Sequence, residues 1–204
     1  LFNDVAAQQI FAQGHGADEA YVSSAATSYT DPLAYEAIRL VFDQLPTAFE
    51  DGSNIKARED MHNASALAGM AFTNASLGLI HSLAHKIGGE FGITHGLANA
   101  ILMPYIVDYN RKGTDKVEKL EDLLRIDNLT DELQALNKKV DIPLTLQEVT
   151  EVEITEEKFL AVLDRMSKNA FEDPCTLTNP RQSSAEDVRK IYECAFYGKS
   201  ALTI

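Results

Sequence analysis

Residues 78–96 read GLIHSLAHKIGGEFGITHG and contain three of the five histidines of the chain. His81 and His85 are four residues apart, so on a helix they lie on one face, one turn from each other. His95 follows a glycine-rich stretch at the start of the next predicted helix, and a reversal between the two helices would bring it beside the pair. Neutral imidazoles suit Zn²⁺ or Fe²⁺, and an open coordination position would make the ion a Lewis acid.

The same spacing has a second interpretation, in which these residues are hydrogen-bonded interior histidines. A pair of histidines four residues apart is common on helices. Their surroundings here carry little charge, and an imidazole buried without a partner is costly. Spacing alone leaves both interpretations open, together with a three-histidine Zn²⁺ hydrolase in which His81, His85 and His95 hold a reactive water.

The elements around these histidines are predicted to be helices. Asp31 is a good N-cap, and Pro46 is expected to end the helix that follows it. Residues 57–87 are mostly small or apolar and are predicted to form one or two helices buried on every side, ended by Gly88 and Gly89. Helical periodicity recurs up to the C-terminus, so we predict an all-α bundle of about seven to nine helices.

The composition excludes several classes of function. The 204 residues carry a net charge of −13, which argues against nucleic-acid binding because phosphate contacts need clustered Lys and Arg. No apolar run is long enough to cross a membrane, and the first residues lack the features of a signal peptide. The chain begins with Leu, so we expect a piece of a longer protein. The acidic net charge is typical of a cytosolic surface, and we expect a location in the cytoplasm.

The two cysteines, Cys175 and Cys194, are too few for a disulfide framework and favour a reducing compartment. Neither has a histidine close by in the sequence. We therefore expect both to be inert thiols rather than nucleophiles. Arg181, in the segment NPR, is expected to hold a loop by donating hydrogen bonds to backbone carbonyls.

Residues 78–96 resemble the signature of the iron-dependent (group III) alcohol dehydrogenases. That pattern is Gly-x-x-His-x-x-Ala-His-x-x-Gly, five residues, then Pro-His-Gly, and this chain departs from it only at Thr94, where the family has proline. The segments EAYVSSAATSYTDPLAYEAIRLVFDQLP, AREDMHNASALAGMAFTN, HGLANAILMPYIVDYN and DPCTLTNPR are also similar to that family, in the same order. The last of these is most like the alcohol-dehydrogenase half of bifunctional aldehyde–alcohol dehydrogenases.

This resemblance, over residues 19–199, implies the C-terminal helical domain of the family without its nucleotide-binding domain. We divide the chain into a poorly matched segment, 1–18, and an all-helical metal-site domain, 19–204. No Gly-x-Gly-x-x-Gly motif occurs. The resemblance thus implies that NAD(H) is bound by a domain not present in this chain.

By the same resemblance, His81 and His95 are metal ligands, for Fe²⁺ or Zn²⁺, and His85 is a catalytic residue near the substrate. The implied reaction is interconversion of an alcohol and an aldehyde by hydride transfer, with the metal lowering the pKa of the alcohol. His85 would orient the substrate or move a proton. The partners we expect are this small-molecule substrate and further copies of the chain in a homo-oligomer.

The other two ligands of the family, an Asp and a His, precede the segment that begins at Glu19. Counting back from Glu19 places Ala12 and Gly16 at these positions, and neither has a metal-binding side chain. His15 is one residue away, which on a helix is a rotation of about 100°. We therefore expect the isolated chain to bind metal poorly and to oxidise no alcohol. The alternative is a non-catalytic helical oligomerisation module of the same fold.

Overall fold

The structure is a computed structural model and describes residues 16–204. It confirms the all-α prediction, because these residues form nine α-helices and no β-strand. The α-helices are α1 (16–22), α2 (Thr30–Glu50), α3 (Ile55–Ala75), α4 (Leu79–Phe91), α5 (His95–Asn110), α6 (Lys116–Leu124), α7 (Leu129–Lys139), α8 (Glu156–Phe171) and α9 (Ala185–Tyr197). Two short 3-10 helices lie at Leu146–Glu148 and Pro174–Thr178.

Helices α2 and α3 pack along a row of small side chains. The buried face of α3 includes Ala64, Ala68, Ala71 and Ala75, whose small volume lets the two helix backbones lie close together. The opposite face of α3 is open to solvent, and Met70 on it is 46% exposed. The prediction that residues 57–87 are buried on every side is therefore wrong for α3.

The prediction that Pro46 ends α2 is also wrong, because the helix continues to Glu50. Proline removes one backbone donor and disfavours the helix interior. Beyond it, however, Ala48 and Phe49 pack against the core. Their burial offsets the missing hydrogen bond, so the helix runs one further turn.

Helices α4 and α5 form a hairpin at the centre of the molecule. All of α5 from Gly96 to Asn110 is buried. Gly88 and Gly89 do not end α4 as predicted. The helix runs on to Phe91 and is closed by Gly92, which has a left-handed φ of 78° and donates its N–H to the carbonyl of Gly88 at 2.8 Å. Such a backbone conformation favours glycine, so the C-cap falls on the third glycine of the stretch.

The C-terminal helices close the core and position the loop between them. Phe159 of α8 stacks on Phe196 of α9 with ring centroids 4.1 Å apart. In the loop, Arg181 donates to the backbone carbonyls of Tyr109 at 2.9 Å and Ile204 at 3.1 Å, as the sequence predicted. The loop is thereby tied to the end of α5 and to the last residue.

Within residues 16–204, no single helix has both the length and the apolar character needed to cross a membrane. In this part of the chain, α3 and α4 meet that criterion as a pair, and they are bent by 104° relative to each other.

Candidate metal and substrate site

Three imidazoles converge where α4 and α5 meet. The ring centroids of His81 and His95 are 5.2 Å apart, those of His85 and His95 are 5.6 Å apart, and those of His81 and His85 are 6.0 Å apart. The side chain of His81 is 8% exposed, whereas that of His85 is 40% exposed. The cluster thus runs from the interior to the surface, and the convergence predicted from the sequence is present.

The hairpin itself produces this convergence. His81 and His85 lie on one face of α4, one turn apart. The left-handed turn at Gly92 reverses the chain, and α5 begins at His95. The first residue of α5 is therefore placed opposite the pair.

Glu19 of α1 joins the hairpin to the N-terminal part of the domain. The N-cap position of α4 is Gly78, which has no side chain to accept from the first free N–H groups. One carboxylate oxygen of Glu19 accepts instead, from the N–H of Ile80 at 2.6 Å and from that of His81 at 3.3 Å. Its other oxygen contacts Nδ1 of His81. Since an ionised carboxylate only accepts, Nδ1 of His81 carries the hydrogen and Nε2 is left as the basic nitrogen.

His95 is held by a neighbour on its own helix. Its Nε2 lies 3.0 Å from the amide nitrogen of Asn99, one turn further along α5. Burial lowers the pKa of His95, and the nearby His81 and His85 lower it further. The ring is therefore neutral at neutral pH, which is the form that binds metals.

His85 is anchored by an acid that the sequence analysis did not single out. Its Nδ1 lies 3.2 Å from Oδ2 of Asp173, and the same oxygen accepts from Lys86 Nζ at 2.6 Å. Burial opposes ionisation of Asp173, but the hydrogen bonds from Lys86, the Cys175 N–H and His85 lower its pKa to about 2. Asp173 is thus a carboxylate that fixes one side of the His85 ring.

Cys175 also belongs to this site, although no histidine is close to it in the sequence. The ligand atoms of His85, Asp173 and Cys175 all lie within 4.8 Å of one another. Burial and the neighbouring Asp173 raise the pKa of the Cys175 thiol to about 12, so the free thiol is protonated and unreactive. Its position 90 residues from His85 is why sequence spacing missed it. The segment DPCTLTNPR, which resembles the alcohol-dehydrogenase family, was the available signal.

The helix α1 carries a second acid, Asp18, in a different environment. Asp18 is buried, and its Oδ1 has no hydrogen-bond partner among the described residues. Burial, together with the adjacent charge of Glu19, raises the pKa of Asp18 to about 8. This carboxyl is therefore mainly protonated at neutral pH.

The described residues supply only part of the ligand set that the resemblance implies. His81 and His95 are in place, but the position of the family's other histidine is Gly16. A Cβ at Gly16 would lie 2.5 Å from the ring of Phe72. Ala12 and His15 lie outside the described residues. Two imidazoles without a carboxylate ligand do not fit the iron site of the family, because the carboxylate of Glu19 is already engaged by Nδ1 of His81 and the first N–H groups of α4.

The fold and this histidine hairpin define the class of protein. The sequence profile of the Fe-containing alcohol dehydrogenase family, C-terminal, matches residues 14–196. The chain therefore belongs to the iron-containing alcohol dehydrogenase family, as its signature indicated.

Individual relatives agree with this assignment. The chain is 42% identical over 190 residues to the NADPH-dependent butanol dehydrogenase of Clostridium saccharobutylicum, covering 88% of this chain and 48% of that protein. It is 34% identical to the bifunctional aldehyde-alcohol dehydrogenase AdhE of Escherichia coli K12, covering 89% of this chain and 23% of AdhE. The fold matches a crystal structure of 1,3-propanediol oxidoreductase with a TM-score of 0.85 and 32% identity, over 95% of this chain and 52% of that one. The chain thus spans between about a quarter and about half of the length of these relatives.

Proposed function

We propose that this chain is the helical half of a metal- and NAD(P)-dependent alcohol dehydrogenase that interconverts alcohols and aldehydes by hydride transfer. The observation that carries the proposal is the convergence of His81, His85 and His95 at the α4–α5 hairpin. Two relatives are named as a butanol dehydrogenase and as a bifunctional aldehyde-alcohol dehydrogenase, which supports the substrate class. No β-strand is present within residues 16–204, so we assign nucleotide binding to a second domain.

In this proposal His81 and His95 are the two metal ligands that the helical half contributes. Glu19 holds Nδ1 of His81 and so directs its Nε2 into the cluster. At His95 the corresponding nitrogen is occupied by Asn99, and the Asn99 amide has to turn away before an ion can bind there. A complete site also requires a carboxylate from outside this set of residues.

His85 is the residue we assign to the substrate side of the site. Asp173 is ionised and accepts the hydrogen on Nδ1 of His85, so Nε2 is the basic nitrogen. The ring is partly open to solvent. It is therefore placed to accept a hydrogen bond or a proton from an alcohol hydroxyl.

We further propose that the isolated chain is inactive. Ala12 and Gly16 cannot replace the two missing ligands, and Phe72 occupies the space next to Gly16. These observations also favour the second candidate function, a helical oligomerisation module that has kept the fold without the chemistry. A homo-oligomer is expected under either proposal.

The test is metal analysis of the purified chain, combined with alcohol assays using NAD⁺ and NADP⁺ and with analytical ultracentrifugation. We expect substoichiometric iron and no turnover. Stoichiometric iron together with turnover would refute the proposal that the isolated chain is inactive. The dehydrogenase assignment is tested in the full-length protein that carries this domain, where His81→Ala and His85→Ala should abolish turnover. His62→Ala, on the exposed face of α3, is the matched control and should not.

A further inference from the structure

Beside the three imidazoles lies a second group of donors that the proposed dehydrogenase does not use as ligands. It consists of His85 on α4 together with Asp173 and Cys175, at the start of the 3-10 helix Pro174–Thr178. Each offers one ligand atom, and these atoms lie within 4.8 Å of one another. Imidazole nitrogen, carboxylate oxygen and thiolate sulfur together are a donor set typical of Zn²⁺.

The distances between the donor atoms are close to those expected around a bound ion. Around a tetrahedral Zn²⁺, ligand atoms at bond lengths of about 2.0–2.3 Å lie about 3.3–3.6 Å from each other. His85 Nδ1 and Asp173 Oδ2 are already 3.2 Å apart. Rotation of the Cys175 side chain about χ1 would move its sulfur by the remaining ångström or so.

The backbone that carries these donors is fixed by hydrogen bonds. The Cys175 N–H donates to Oδ1 of Asp173 at 3.0 Å, which sets the carboxylate relative to the thiol. Thr176 Oγ1 lies 2.8 Å from Ser82 Oγ, so the 3-10 helix is held against α4 next to His85. The three donors therefore need only side-chain rotation, and little conformational entropy is lost on binding.

Zinc binding at this site displaces one proton, and two of its ligands are anionic. Binding a divalent ion to Cys175 forms a metal–sulfur bond and releases the thiol proton to water. Coordination by Nδ1 of His85 requires the hydrogen on that nitrogen to move to Nε2, which leaves the ring neutral. The thiolate and the Asp173 carboxylate offset the two positive charges of the ion, so that only the charge of Lys86 remains. Lys86, 2.6 Å from Asp173, remains as an outer partner that orients the carboxylate.

We propose that His85, Asp173 and Cys175 form a Zn²⁺ site whose fourth position, on the solvent-exposed side of His85, is taken by water. This site uses neither His81 nor His95 and needs no nucleotide domain. It does share His85 and Asp173 with the proposed dehydrogenase. The two proposals are told apart by their tests, because Co²⁺ binding is measured in this chain and turnover in the full-length protein, so either can fail alone.

The experiment uses Co²⁺ as a spectroscopic substitute for Zn²⁺ in the purified, reduced 204-residue chain. We expect one Co²⁺ per chain, with intense tetrahedral bands in the visible and a thiolate-to-cobalt charge-transfer band in the near ultraviolet, both removed by added Zn²⁺. Cys175→Ser should abolish the charge-transfer band and weaken Co²⁺ binding by at least about tenfold. Asp173→Asn should weaken binding while keeping that band.

The chain supplies two matched controls. Cys194→Ser removes the only other thiol, which is also partly buried, and should leave the spectrum unchanged. His81→Ala removes a member of the three-imidazole cluster and should also retain the charge-transfer band. Circular dichroism checks that each variant is folded.

Three results would overturn the proposal. The first is a charge-transfer band that survives Cys175→Ser. The second is a wild-type chain that binds Co²⁺ without showing that band, together with a His81→Ala variant that no longer binds Co²⁺. This result would place the ion among the three imidazoles. The third is a folded wild-type chain that binds no Co²⁺.

Discussion

The α4–α5 hairpin carries three imidazoles within residues 81–95, whereas α1 brings one carboxylate to the same site from 62 residues earlier in the chain. The hairpin has every histidine of the family signature, and its geometry follows from one helical turn and one left-handed glycine. Helix α1 has Glu19 in place, but a glycine stands where the family has a ligand. The histidines that are close together in the sequence are therefore all present, whereas the distant helix contributes the anchoring Glu19 but no histidine at Gly16.

The largest effect should come from the buried acid of α1, and it depends on pH. Asp18 has a pKa of about 8 in the folded chain against 3.8 in the unfolded chain. Between these values the folded state holds a proton that the unfolded state has lost, so stability falls as pH rises. Between about pH 5 and about pH 8, ionisation of Asp18 should lower the free energy of unfolding by about 4 kcal/mol.

Urea denaturation at both pH values measures this loss. The asparagine in Asp18→Asn cannot ionise. This variant should therefore lose most of the difference between the free energies of unfolding at the two pH values, while the other titrating groups are unchanged. An equal pH dependence in the variant and the wild type would show that Asp18 is not the cause.

The next effect concerns Glu19, whose hydrogen bonds join the two regions. Glu19→Ala leaves the N–H groups of Ile80 and His81 and the Nδ1 of His81 without their acceptor, at an expected cost of about 3 kcal/mol in the free energy of unfolding. Glu19→Gln keeps one acceptor oxygen for the N–H groups and should cost less. The measurement is chemical denaturation, and an unchanged midpoint in Glu19→Ala would contradict a capping role.

The smallest effect tests whether the hairpin is set by its turn. Gly92→Ala places a side chain at a φ of 78° and should destabilise the domain by about 1 kcal/mol. Gly89→Ala, three residues earlier in α4, meets open space and should stabilise by about 0.5–1 kcal/mol, because alanine favours helices. Thermal unfolding measures the midpoint temperature of both variants. Equal shifts in that temperature would mean that the left-handed conformation of Gly92 does not matter for stability.

The sequence predicted the part of the molecule that rests on short-range pattern. Helical periodicity gave the all-α fold, and the spacing of His81, His85 and His95 gave their convergence. The ends of helices were less predictable. Pro46 is overridden by the packing of Ala48 and Phe49, and the C-cap of α4 falls on Gly92 rather than on Gly88 or Gly89, since only the tertiary course of the chain decides which glycine must be left-handed.

The residues that anchor the histidines were missed for a related reason. Asp173 is 88 positions from His85, and no periodicity connects them. Glu19 was used only to align the N-terminal segment, yet it caps α4 and contacts His81. The division of the chain at residues 18 and 19 stays a prediction.

The distance between His85 and Asp173 along the chain has a consequence for biosynthesis. A ribosome releases the hairpin before it has made the segment that contains Asp173 and Cys175. For that interval the nascent hairpin presents three imidazoles without the carboxylate and the thiol. An ion that binds during that interval meets the three imidazoles before the Asp173 carboxylate and the Cys175 thiol have been made.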